Sequence, residues 1–101
     1  MKHSLRVEHI ELSETDKEQL ESKLGKLEKH LALPYVTDVT ISHDTHHTHG
    51  NVVRCTIVIE QGKHLYRAER SAETVQNAID ESVSALQSEL RSSHDRRKEH
   101  K

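Results

Sequence analysis

At 101 residues the chain can build one modest core and one domain. Its formal net charge of −2 excludes a uniformly basic nucleic-acid coat, so any anion binding must come from local segregation of charge. One cysteine excludes an internal disulfide, and no apolar run approaches membrane-spanning length, so a cytoplasmic protein with no membrane partner is expected.

Residues 3–10 alternate Leu5 and Val7 with Ser4, Arg6 and Glu8, which predicts a half-buried strand. Leu12 and Ser13 then open a first helix, with Ser13 as N-cap, Asp16 completing a weak capping box and Leu12 packing back on the first turn. Leu20, Leu24, Leu27 and Leu31 recur at the spacing of one buried helical stripe. Pro34 disfavours helical geometry in the residue before it, so the helix is expected to end around Leu33.

The charges of this helix are sorted by sign. With Leu20 at zero, Glu14, Glu18, Glu21 and Glu28 fall within roughly 80–160° around the axis. Lys23, Lys26 and Lys29 fall within roughly 180–300°, uninterrupted by an acid; only Asp16 and Lys17 break the order. Two readings stand side by side: a solvated face with pairs one turn apart, or a cationic edge that meets a polyanion while the leucines hold the core.

Tyr35–Ser42 alternates as a second strand, and a polar loop follows, containing His43, Asp44, His46, His47 and His49. Val52–Glu60 reads as a third strand, Gln61-Gly62 as a turn and His64–Glu69 as a fourth strand. Ser71 is placed to cap a second helix whose apolar face is Ala72, Val75, Ala78, Ile79, Val83, Leu86 and Leu90. Past Leu90 the chain becomes polar and basic, so residues 1–92 are expected as the domain and 93–101 as a fraying tail. The order β-α-β-β-β-α gives an α+β fold: a four-stranded sheet with two helices on one face. The long first connection makes the first two strands parallel, and the rest is an antiparallel meander.

Little in this chain points to catalysis. No nucleophile–base pair or glycine-rich phosphate loop occurs, so neither an enzyme nor a small-molecule substrate is expected. Cys55 alternates with apolar residues and reads as a buried structural thiol. The histidine loop has metal-ligand chemistry but sits on one segment without a converging frame, so no metal or other cofactor is expected. With no Phe or Trp and only Tyr35 and Tyr66, stacking on single-stranded bases is disfavoured, whereas contact with phosphates of structured RNA needs only donors. A second basic group comprises Arg91, Arg96, Arg97 and Lys98, diluted by Asp95 and Glu99. Between the two groups, Ser71–Leu90 carries Glu73, Asp80, Glu81 and Glu89 and no Lys or Arg.

The sequence resembles the short ribosome hibernation promoting factors, a family that includes the ribosome-associated inhibitor A and the sigma-54 modulation proteins. The resemblance is carried by Ile10-Glu11-Leu12-Ser13, then Leu20, Lys23, Leu24 and Lys26-Leu27-Glu28-Lys29. Further along it is carried by Ala68-Glu69, Ala78-Ile79-Asp80, Val83, Leu86 and Leu90. It implies a non-enzymatic stress factor that docks on the small ribosomal subunit, in the channel of messenger RNA and transfer RNA, and blocks translation. Ribosomal RNA phosphates would be met by basic residues of both helices. Lys17, Lys23, Lys26 and Lys29 match the basic positions of the first helix. The second helix departs, with Ala85, Ser88 and Ser92 where relatives carry bases and Val75-Gln76 near the usual aromatic, so Arg91, Arg96, Arg97 and Lys98 would have to supply cations. The extension that pairs ribosomes in long-form relatives is not expected. The rival expectation is a protein-binding regulatory module that keeps the fold with reduced ribosome affinity.

Overall fold

The structure is a computed structural model that describes residues 3–29, 31, 34–43 and 52–99, with only the backbone described at His3 and from Ser92 to Glu99. The elements run β1 (His3–Glu8), α1 (Glu14–Glu28), β2 (Val36–His43), β3 (Val53–Gln61), β4 (His64–Ala72) and α2 (Val75–Glu99). The four strands form one sheet in the order β1-β2-β3-β4, with β1 parallel to β2 and the other neighbours antiparallel. The expected α+β layout is therefore present.

Register explains the two faces. Thr37, Val39 and Ile41 of β2, Val53, Cys55, Ile57 and Ile59 of β3, and Tyr66, Ala68 and Ala72 of β4 are buried on the helix side. The helices answer with Leu20, Leu24 and Leu27 from α1 and Ala78, Ile79, Val83 and Leu86 from α2. Alternate residues face away from the helices, where Glu69 bridges Arg54 (3.3 Å) and Arg67 (2.8 Å). Leu5 and Val7 align with Val39 and Ile41 on the helix side, but on the edge strand they remain 39% and 36% exposed. The half-buried strand expected there is thus more open than its alternation implied, and it ends at Glu8, before His9 turns left-handed at φ 61°.

Local chemistry sets the boundaries. The Ser13 hydroxyl accepts the Asp16 N–H, and the Asp16 carboxylate accepts the Ser13 N–H, each at 3.1 Å, so the capping box is complete. At the other end α1 stops at Glu28 with Lys29 as C-cap, short of the expected Leu33. The Leu31 N–H bonds the Glu28 carbonyl at 3.1 Å in a tight turn, and Leu31 stays partly buried against the core beyond the helix. The buried Thr37 hydroxyl donates to Glu28 Oε2 at 3.0 Å and ties this end of α1 to β2.

The expected start of α2 needs correction. Ser71 is no helix cap and Ala72 no helix residue: β4 pairs with β3 as far as Val53↔Ala72. Thr74 takes the cap role, its hydroxyl accepting the Asn77 N–H (3.1 Å) and its carbonyl the Ala78 N–H (3.0 Å). By backbone the helix runs from Val75 to Glu99. The β3–β4 turn is built on Gly62 at φ 61°, a value that favours glycine.

Candidate nucleic-acid interface

The basic edge of α1 is not uniform. Its leucine stripe presses Leu20, Leu24 and Leu27 into the core, which leaves Lys26 and Lys29 exposed with no ion pair among the described residues. Lys17 is exposed and lies 3.8 Å from Glu14 Oε1, one turn back. Lys23 differs. Its ammonium lies 3.1 Å from Asp80 Oδ1 on α2, and the same oxygen accepts Gln19 Nε2 at 3.1 Å. Gln19 Nε2 also donates to the Gln76 carbonyl at 3.2 Å. The cationic sector therefore flanks the seam between the helices, and one of its lysines is already engaged by a carboxylate of the chain.

The second basic group is only partly described. Arg91 is exposed on α2. Arg96, Arg97 and Lys98 belong to the same helix by backbone, while their side chains lie outside the described residues. Asp44, His46, His47 and His49 also lie outside the described residues; His43 closes β2. Among the described residues no group of three or more His, Cys, Asp or Glu is arranged to hold a metal ion.

Three residues of this surface escaped the sequence reading as site residues. In the sequence Asp80 is one acid of a base-free stretch, and its contact with Gln19 is visible only once the helices are packed. Arg70 stands on the helix side of β4, where it interrupts the buried series Tyr66, Ala68 and Ala72. That interruption was legible in the sequence. Its guanidinium donates to the Glu69 carbonyl at 2.8 Å. With Asp80, Glu81, Ser84, Ala85 and Ser88 it lines an open depression of about 400 Å³ along α2. The described flank of α2 thus offers carboxylates and hydroxyls where α1 offers ammonium groups.

Cys55 is fully buried, and burial pushes its thiol up from 9.0 to about 11 despite a hydrogen bond with Ser82 that lowers it. It is a core group with no role at the surface. Tyr35 is also raised, by desolvation first and by the Glu28 charge second. Among the described residues no helix is long and apolar enough to cross a membrane.

Comparison with known proteins agrees with this fold. The N-terminal domain of Protein Y from Thermus thermophilus superposes with a TM-score of 0.71 at 20% identity, covering 89% of this chain and 96% of that one. A ribosomal subunit interface protein from Coxiella burnetii gives a TM-score of 0.72 at 10% identity, covering 92% and 98%. At these identities the likeness concerns the fold. No curated protein sequence matches. The sequence model of the sigma 54 modulation protein / S30EA ribosomal protein family matches residues 4–98, nearly the whole of the described fold, and the chain belongs to that family.

Proposed function

We propose that this protein associates with the ribosome as a translation-inhibiting hibernation factor, in the cytoplasm and without catalysis. It would dock on the small subunit near the messenger and transfer RNA channel through ribosomal RNA phosphates. The observation that carries the reading is the exposed pair Lys26 and Lys29 on α1, without ion-pair partners among the described residues, in a member of the S30EA ribosomal protein family. These two lysines bear the contact, Lys17 and Arg91 add exposed charge, and Arg96, Arg97 and Lys98 are candidate cations along the same α2 helix. Phosphate contacts of this kind release counterions, so affinity falls as salt rises.

The test is co-sedimentation with purified small subunits at low and high salt. The wild-type chain should pellet at low salt and be released as salt rises; Lys26→Glu with Lys29→Glu should remain in the supernatant at both. A wild-type chain that never pellets, or a double variant that pellets equally, rejects the reading.

A second reading has its own support: from Val75 to Leu90, α2 carries Asp80, Glu81 and Glu89 and no base. Such a surface suits a protein partner better than RNA. Capture of one defined protein, unaffected by ribonuclease, together with absent subunit binding would favour it.

A further inference from the structure

Asp80 Oδ1 receives two donors from α1, Gln19 Nε2 and Lys23 Nζ, each at 3.1 Å. The ion pair is at the surface: the Lys23 and Asp80 side chains are 40% and 47% exposed. Gln19 has a second, independent anchor on the Gln76 carbonyl, so the two helices are joined by more than the charge contact. Lys26, on the same basic edge, has no such partner among the described residues. Within one cationic edge, therefore, one ammonium is held by an internal anion and another meets none among the described residues.

A carboxylate beside an ammonium occupies the place an incoming phosphate oxygen would take. Exposed ion pairs are weak enough to exchange, because water screens them and holding two side chains together costs conformational entropy. The arrangement is then a competition and not a permanent block. Glu81 adds negative charge on the α2 side of this point, and Arg70 lines the same open depression.

We infer that Asp80 is a specificity-determining residue for polyanion binding by α1, an internal competitor that withholds Lys23 from phosphate. Weak or sparse anions meet only the unpaired lysines, while a ligand with closely spaced phosphates displaces the carboxylate and recruits Lys23 as well. This rests on the reading of α1 as a phosphate-binding edge. It adds that binding strength is set by a residue of the other helix.

The test is a double-mutant cycle on the full chain, read on immobilised heparin as a sequence-free polyanion and on purified small subunits. Asp80→Asn removes the charge and keeps an acceptor for Gln19. It should elute from heparin at higher salt, bind subunits about threefold more tightly, and steepen the salt dependence by roughly 0.7–0.9, the increment of one added phosphate contact. In a Lys23→Gln background the same change should lose most of that gain, because a simple net-charge effect would persist there. Lys23→Gln alone should weaken heparin binding less than Lys26→Gln, a comparison that needs no change at Asp80. Equal gains in both backgrounds, no gain in either, or a larger loss at Lys23 than at Lys26 overturns the competitor role. If the heparin cycle behaves as stated and no variant sediments with subunits, the ribosomal partner is rejected and the Asp80–Lys23 competition stands.

Discussion

The Ser82 hydroxyl donates to the backbone carbonyl of Cys55 at 2.9 Å, with both residues fully buried. This bond keys α2 onto the central strand β3. A small side chain lets the helix approach the sheet, and the carbonyl satisfies a hydroxyl that would otherwise be buried at a cost. Ser82→Ala should lower stability by about 1 kcal/mol, the usual worth of a buried hydrogen bond. Ser82→Leu should cost roughly 1–3 kcal/mol through overpacking. Urea denaturation checks both; a leucine variant as stable as the alanine one would show that close approach does not constrain this site.

Cys55 makes the fold sensitive to alkali. Its thiol is raised from 9.0 to about 11, so the folded state favours the neutral form. The associated stability is fully present below pH 9 and is lost as pH rises towards 11. Tyr35, also raised, acts in the same direction. The loss assigned to Cys55 is up to about 2–3 kcal/mol. Comparing wild type with Cys55→Ala across this pH range isolates it: the variant should show the shallower decline. A thiol reagent at neutral pH should react with Cys55 only as fast as the protein unfolds.

Gly25 sits inside α1, and a Cβ built there meets no atom within 4 Å. Glycine in a helix interior costs conformational entropy relative to alanine. Gly25→Ala should therefore stabilise the protein by about 0.5–1 kcal/mol. An increased melting temperature with unchanged subunit binding is the expected result.

Charge reversal along α1 should divide the lysines. Lys23→Glu places a carboxylate against Asp80 and should destabilise the fold by about 1 kcal/mol. Lys26→Glu and Lys29→Glu meet no ion-pair partner among the described residues and should stay within roughly 0.5 kcal/mol of wild type. Thermal melts separate the cases, and equal effects at all three positions would contradict the distinct environment of Lys23. For this reason Lys26 and Lys29 are the cleaner pair for probing binding.

Periodicity determined most of the architecture. The alternation of Val39, Ile41, Cys55, Ile57 and Ile59 and the stripe Leu20, Leu24 and Leu27 each name a face whatever surrounds them, because side-chain direction follows from backbone geometry. The Ser13–Asp16 cap was equally legible, being a contact of three residues' span. Boundaries set by neighbours were not. Ser71 has the chemistry of a cap, yet pairing with β3 keeps it in a strand and passes the cap to Thr74. The end of α1 is closed by the turn at Leu31, ahead of Pro34.

The sequence by itself also determined that α1 carries a cationic edge, since angular position depends only on residue spacing. Which of those cations are free was decided by tertiary structure alone. Asp80 lies fifty-seven positions beyond Lys23, and only the packing of α2 beside α1 brings its carboxylate to 3.1 Å. Charge sorting along a helix is a local property, whereas the availability of each charge depends on what the rest of the fold places beside it.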